Sequence, residues 1–258
     1  MSKRVWITAL AKDEAGIAGL MGSLKKYGLT TDGHFWVDDV KNMAWQAAAE
    51  ELLKADTALW VITGDGEGLK KASVAYGLSL LAMKVYASKG ESFPVIFAPE
   101  ADLPPDARMP TLLKGAEIIP VSSSSFGVKA VSLANTPAKK IEKGYRLNVH
   151  GLPGIGLWLE AGPSSIEWQG AMFGVHGAEI DFHGVGPSNG VPERAILEYA
   201  QKGLKVQLGE DEFTAWAIQN KLEPGMSYYV RVQGMPDRLL FGPYAQTEEA
   251  EVHVVTLY

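Results

Sequence analysis

The sequence predicts an α/β domain with a five-stranded parallel sheet in the order 2-1-3-4-5, followed by an all-β sandwich domain. The run at residues 58–64 is almost entirely apolar, β-branched or small, and it stops at the turn-forming residues 64–68. Strand and helix patterns alternate as far as residue 125, as in right-handed βαβ units. After residue 143 the pattern changes to short apolar runs separated by glycine and proline. We therefore place one domain at residues 1–143 and the other at residues 144–258.

In the first domain, strands are predicted where short apolar runs lie between turn residues, and helices where apolar residues recur every three or four positions. Asp13 is a predicted helix N-cap and Gly28 a predicted helix stop. The predicted strands are residues 4–10, 34–37, 58–64, 93–98 and 116–121, and the predicted helices are residues 13–26, 43–54 and 69–89. Residues 128–133 are predicted to pair as a further strand before a linker.

In the second domain, short apolar or alternating runs follow one another at the spacing of a β-sandwich. They are residues 145–149, 156–159, 165–168, 178–182, 204–208, 213–218, 228–232 and 252–257.

Composition excludes several classes of function. The net charge of −6 and the absence of any Lys/Arg run longer than a pair argue against a nucleic-acid partner. No apolar stretch is long enough to span a membrane, so no membrane association is expected. The chain has no cysteine, and its first residues lead directly into a strand pattern, which favours a cytoplasmic protein.

The loop after the third strand is a candidate ligand site. Backbone N–H groups of Gly64, Asp65 and Gly66, with the helix that follows, are suited to a phosphate or a ribose hydroxyl. Asp65 and Glu67 repel phosphate, which favours a sugar or a base. The alternative is a flexible turn between strand and helix.

The acidic residues Asp13, Asp38 and Asp39 are either a Mg²⁺ cluster or solvated caps. The five histidines lack a complete zinc-binding spacing, so no metal is expected.

The first domain resembles Toll/interleukin-1 receptor (TIR) domains. The resemblance is carried by residues 6–13 with the Lys12-Asp13 step, residues 29–39 with Trp36 and Asp38, Trp45 with residues 53–56, and residues 94–97. It covers about residues 3–125 and implies a flavodoxin topology, with NAD or a related nucleotide as ligand. TIR domains that cleave NAD have a glutamate three residues after the helix tryptophan, where this chain has Ala48. Glu50 is then the candidate catalytic carboxylate.

The second domain resembles fibronectin type III domains. The resemblance is carried by residues 222–232, read as Leu-x-Pro-Gly-x-x-Tyr-x-Val-Arg-Val, and by Gly242-Pro243 before the last strand. It implies that the hydroxyl of Tyr228 bonds upstream backbone. It covers about residues 165–258 and leaves residues 145–163 as an extra hairpin or strand.

The leading hypothesis is a signalling or effector-type protein. Its TIR-like domain is expected to bind a nucleotide-like ligand or to self-associate into a homo-oligomer, while the sandwich binds a protein partner. One alternative is an NAD-cleaving glycohydrolase that uses Glu50. Another is a carbohydrate-binding or surface-binding module that uses Trp158, Trp168 and Trp216. The alternative interpretation of these tryptophans is that they belong to the aromatic core of the sandwich.

Overall fold

The computed structural model describes residues 2–101, 109–137, 139, 141, 143–192, 196–244 and 251–258. The chain divides into two compact units, Met1–Ile141 and Glu142–Tyr258. The first is an α/β domain and the second consists of antiparallel sheets. Among the described residues, no helix combines the length and the apolar character needed to cross a membrane.

The α/β domain contains a five-stranded, all-parallel sheet in the order 2-1-3-4-5, which confirms the predicted fold class and strand order. Its strands are β1 (Arg4–Ala9), β2 (Thr30–Phe35), β3 (Thr57–Gly64), β4 (Val95–Pro99) and β5 (Glu117–Ile118). Its helices are α1 (Glu14–Lys26), α2 (Trp45–Leu52), α3 (Gly66–Lys70), α4 (Ala72–Lys89) and α5 (Phe126–Asn135).

Helices cover the sheet, and its central strands β1 and β3 are buried on both faces. On one face, Ile7 and Val61 pack with Leu24 of α1 and Phe126 and Ala130 of α5. Every residue of α4 from Val74 to Tyr86 except Lys84 is buried, so this part of the helix lies in the interior. The predicted ends of α1 are confirmed: Asp13 Oδ1 accepts from Gly16 N at 3.0 Å, and Gly28 has a φ of +80° just past the end.

Three predictions in this domain are wrong in detail. The second strand is Thr30–Phe35 rather than residues 34–37, because this edge strand pairs with β1 on one side only and tolerates polar residues. The third helix is divided at Lys71, whose backbone is extended, into α3 and α4. Residues 128–133 belong to helix α5 and not to a strand, since Phe126, Ala130 and Ala134 recur every four residues on a buried face.

The second unit contains two antiparallel sheets of a β-sandwich, as predicted. One sheet has the order β10-β11-β8-β13-β14 and the other the order β6-β7-β12-β9. The strands are β6 (Tyr145–Leu152), β7 (Gly156–Pro163), β8 (Ala171–His176), β9 (Glu179–Pro187), β10 (Gln201–Leu208), β11 (Asp211–Ile218), β12 (Met226–Gln233), β13 (Arg238–Pro243) and β14 (His253–Thr256).

Two strands of the sandwich were not predicted, and one predicted strand does not form. Strands β8 and β13 lie inside the five-stranded sheet but were not predicted, because Gly174 and Gly242 interrupt their short apolar runs. Residues 165–168 form no strand; Trp168 makes only an isolated bridge with Leu222. The pair β6 and β7 belongs to the four-stranded sheet, because β7 also pairs with β12.

The expectation for Tyr228 is wrong. Its hydroxyl bonds His183 Nδ1 at 2.7 Å instead of an upstream backbone group. The neighbouring Tyr229 makes the backbone bond, by donating its hydroxyl to the carbonyl of Pro187. Because side chains alternate along a strand, these two hydroxyls leave β12 on opposite faces of the sheet.

Candidate functional site

The carboxyl edge of the parallel sheet is where ligands of such folds bind. The structure places most of the predicted site residues there, directly after three neighbouring strands. Lys12 and Asp13 follow β1, Trp36 and Asp38 follow β2, and Gly64 ends β3 before Asp65 and Gly66. Each residue can bind a ligand only if its polar groups are not already hydrogen-bonded within the protein.

Three of the carboxylates at this edge stabilise local structure. Asp13 caps α1, and Asp65 accepts from Gly68 N at 3.2 Å as the N-cap of α3. Asp39 accepts from the backbone N and from Nδ2 of Asn42, and these bonds lower the pKa of Asp39. The three groups therefore act separately. Among the described residues, no three His, Asp or Glu side chains converge in a metal-binding arrangement.

The glycine loop after β3 is closely packed. A Cβ on Gly64 would lie 2.8 Å from Leu10 Cβ, and a Cβ on Gly68 would lie 3.2 Å from Leu10 Cδ1. Gly64 also has a φ of +150°. Since packing against Leu10 accounts for both glycines, the loop requires no ligand to explain its composition.

Asp38 is the exception among the predicted carboxylates, because its partners come from distant parts of the chain. Its Oδ2 accepts a hydrogen bond from Ser73 Oγ at 2.9 Å and pairs with Lys71 Nζ. Lys71 lies at the N-cap of α4 and its side chain is 63% exposed, whereas the Asp38 side chain is 23% exposed. A carboxylate, a hydroxyl and an exposed ammonium group thus meet at the start of an 18-residue helix.

The aromatic residues beside this cluster are structural. Trp36 packs closely on α4, since a Cβ on Gly77 would lie 2.6 Å from Trp36 Cζ2. The ring of His34 lies between Trp6 and Trp36, with centroid distances of 5.6 and 6.1 Å, and burial lowers the pKa of His34. Trp45 is 3% exposed at the start of α2. Trp36 and Trp45 are therefore packed against the rest of the domain and offer little exposed surface to a ligand.

Glu50 is not brought to the Asp38 cluster by any described contact. It is exposed near the C-terminal end of α2. The next residue, Glu51, accepts a hydrogen bond from Arg4 Nη1 at 2.8 Å, and Arg4 is the first residue of β1. This end of α2 consequently lies beside the amino edge of the sheet, opposite the edge that holds Asp38.

The sandwich tryptophans do not share one face. Trp158 packs edge-on against Phe182, Trp216 packs edge-on against His183, and Trp168 is 7% exposed beside its bridge to Leu222. His176 at the end of β8 and His183 within β9 also have different partners. His176 Nδ1 bonds Asp237 Oδ1 at 2.5 Å, while His183 is buried and bonds Tyr228.

Comparison of the chain with models of known protein families and with curated proteins finds no match. Sequence reasoning missed Lys71 as a partner of Asp38, because 33 residues separate the two. The only available signal was that the loops after β2 and β3 of a parallel sheet end at the same edge.

Proposed function

We propose that this is a ligand-binding protein of the signalling or effector type, in which the α/β domain binds a nucleotide-like ligand at the carboxyl edge of its sheet. The β-sandwich mediates interactions with a partner. The observation that carries the proposal is the cluster of Asp38, Ser73 and Lys71 at the start of α4.

The chemistry of the cluster suits a phosphorylated ribose. Asp38 and Ser73 are able to bond ribose hydroxyls, as carboxylates do in other nucleotide-binding α/β folds. Lys71 is exposed and able to turn from Asp38 toward a phosphate. The first turn of α4 has no side-chain cap, so its backbone N–H groups add to the attraction for an anion.

The test is a titration of the full-length protein with ADP-ribose, AMP and NAD by isothermal calorimetry. We expect binding of at least one of them, and a loss of about tenfold or more in affinity in Lys71→Ala and in Asp38→Asn. The matched control is Lys70→Ala, because Lys70 pairs with Glu67 at 3.0 Å and not with Asp38. No binding to the parent protein, or equal affinity in Lys71→Ala and Lys70→Ala, would contradict the proposal.

No contact among the described residues favours the NAD-cleaving alternative. Glu50 makes no hydrogen bond or ion pair with another described residue, and its neighbour Glu51 is engaged by Arg4 and Lys54. NAD consumption at high protein concentration is the decisive measurement. Turnover that disappears in Glu50→Ala and persists in Glu51→Gln would replace the binding proposal with an enzymatic one.

Self-association of the α/β domain is supported by one edge of its sheet. Strand β5 has two residues, and Ile118 on it is 53% exposed. Val128 on α5 is 58% exposed, and the adjacent Lys129 Nζ lies 3.5 Å from Glu117 Oε2 on β5. Exposed apolar side chains such as Ile118 and Val128 are a candidate contact surface for a second copy. Sedimentation should show concentration-dependent assembly that Ile118→Lys abolishes, and a monomer at all concentrations would exclude it.

A further inference from the structure

The sandwich domain contains a cavity of about 760 Å³ that the proposed function does not use. It is lined by residues before and within β6, by residues 166–169, and by residues around the ends of β11, β13 and β14. A volume of this size falls in the range of about 300–1,000 Å³ that is usual for small-molecule sites.

One wall of the cavity is aromatic. Tyr145 on β6 lies against His253 on β14, with ring centroids 4.3 Å apart, and the edge of Phe241 supports Tyr145 at 5.0 Å. These contacts fix the ring of Tyr145 in place. The lining also includes Trp168, which is held by two backbone hydrogen bonds with Leu222 at 2.9 and 2.8 Å. The aromatic surface is therefore preorganised before any ligand binds.

Several polar groups of the lining have no hydrogen-bond partner within the described part of the chain. They are the hydroxyl of Tyr145, the ring nitrogens of His253 and the side-chain amide of Gln219. Burial lowers the pKa of His253, so its imidazole is neutral near pH 7. A phenol, a neutral imidazole and a carboxamide each offer both a donor and an acceptor.

The charges around the cavity exclude a strongly anionic ligand. Glu251 and Glu167 line it along with Lys143. The carboxylate of Glu167 pairs with Lys221 at 2.8 Å, and Lys143 Nζ lies 5.3 Å from the centroid of the Tyr145 ring. No excess of positive charge remains for a phosphate, and a purely apolar ligand would leave the three unpartnered groups desolvated.

We infer that this cavity is a binding site for a neutral carbohydrate. A pyranose ring has an apolar face that would stack on Tyr145 in place of the Lys143 ammonium group, and hydroxyls that both donate and accept hydrogen bonds. Those hydroxyls match the unpartnered groups of Tyr145, His253 and Gln219. The site is independent of the Asp38 cluster, because all of its lining residues belong to the sandwich unit.

The experiment is saturation-transfer difference NMR on the full-length protein with maltose, cellobiose, lactose and di-N-acetylchitobiose. We expect saturation transfer to at least one disaccharide, with an affinity about tenfold lower in Gln219→Ala and in Tyr145→Phe. Tyr145→Phe keeps the stacking ring and the contact with Phe241, so it is not expected to unfold the domain. Tyr199→Ala is the matched control, since Tyr199 is 76% exposed and does not line the cavity.

Lys71→Ala should leave carbohydrate binding unchanged, which separates this result from the test of the nucleotide site. Absence of saturation transfer to all four disaccharides at millimolar concentration would overturn the inference. Transfer that is equal in the parent, Gln219→Ala and Tyr145→Phe would overturn it as well, because binding would then lie elsewhere.

Discussion

Glu160 is a buried carboxylate whose replacement tests how the sandwich is stabilised. It lies on β7, is 1% exposed, and accepts hydrogen bonds from His150 Nε2 at 2.6 Å, Ser227 Oγ at 2.7 Å and Asn189 N at 3.1 Å. The donors come from β6, from β12 and from the segment after β9. Burial alone would raise the pKa of Glu160, but the hydrogen bonds from these three groups outweigh burial and hold its pKa below the ordinary value.

The substitution Glu160→Gln preserves the shape of the side chain and removes its charge. The new amide N–H₂ replaces one of the two accepting oxygens, and the hydrogen bonds that remain are no longer made to a charged group. Hydrogen bonds to charged groups contribute about 1.5–3 kcal/mol each. We therefore expect the free energy of unfolding to fall by about 3 kcal/mol, and the Tm to fall by about 10 °C for a domain of this size.

Urea denaturation measures the global effect, and hydrogen exchange of residues 187–192 measures the local one, because the amide of Asn189 loses its acceptor. The matched control is Glu212→Gln, since Glu212 is exposed and pairs with Lys205 at 3.0 Å; we expect it to change stability by about 1 kcal/mol or less. If both variants unfold at the same urea concentration, the Glu160 network does not stabilise the sandwich.

The same group predicts a direction of pH dependence. A carboxyl with a lowered pKa in the folded state contributes stability above its ordinary pKa of 4.5, and this contribution is lost as the pH falls through the folded value. The parent protein should therefore lose stability in acid more steeply than Glu160→Gln does. Equal slopes for the two proteins below pH 4.5 would refute this assignment.

Three further predictions concern other parts of the chain. Burial lowers the pKa of His183 from 6.5 to about 4, so between these pH values the unfolded state binds more protons, and the free energy of unfolding should decrease as the pH falls. Urea denaturation at several pH values measures this decrease, which should be smaller in His183→Asn. Gly77→Ala should destabilise the α/β domain by about 1–3 kcal/mol, because the new Cβ would lie 2.6 Å from Trp36. Gly22→Ala on α1 is the control: its Cβ meets nothing within 4 Å, so it should stabilise the domain by up to about 1 kcal/mol, and thermal unfolding of the two variants measures the difference. Asp13→Ala should cost about 1 kcal/mol through loss of the α1 cap, and a variant as stable as the parent would show that the Gly16 N–H finds another acceptor.

The parallel sheet could be predicted because burial acts on every residue of its central strands. Residues of β3 are apolar on both faces, and the helical spacing of α1 follows directly from the face that it buries. The edge strand β2 was misplaced because half of its backbone and side chains face solvent, so polar residues are acceptable there. In the sandwich, β8 and β13 escaped prediction because glycines allow close packing inside the sheet; a Cβ on Gly242 would lie 2.6 Å from the carbonyl oxygen of Glu251.

The candidate sites were harder to predict, because an acidic residue that follows a strand looks the same in the sequence whether it caps a helix or binds a ligand. Asp13 and Asp65 cap helices, whereas Asp38 is held by Ser73 and Lys71 at the start of α4. Only the three-dimensional partners separate the two cases. The sandwich cavity follows the same logic, since Tyr145 and His253 are 108 residues apart in sequence but have ring centroids 4.3 Å apart. The partners that the fold gives to each polar group, or leaves for a ligand to supply, are therefore what separates a candidate site from a helix cap, and those partners are distant in the sequence.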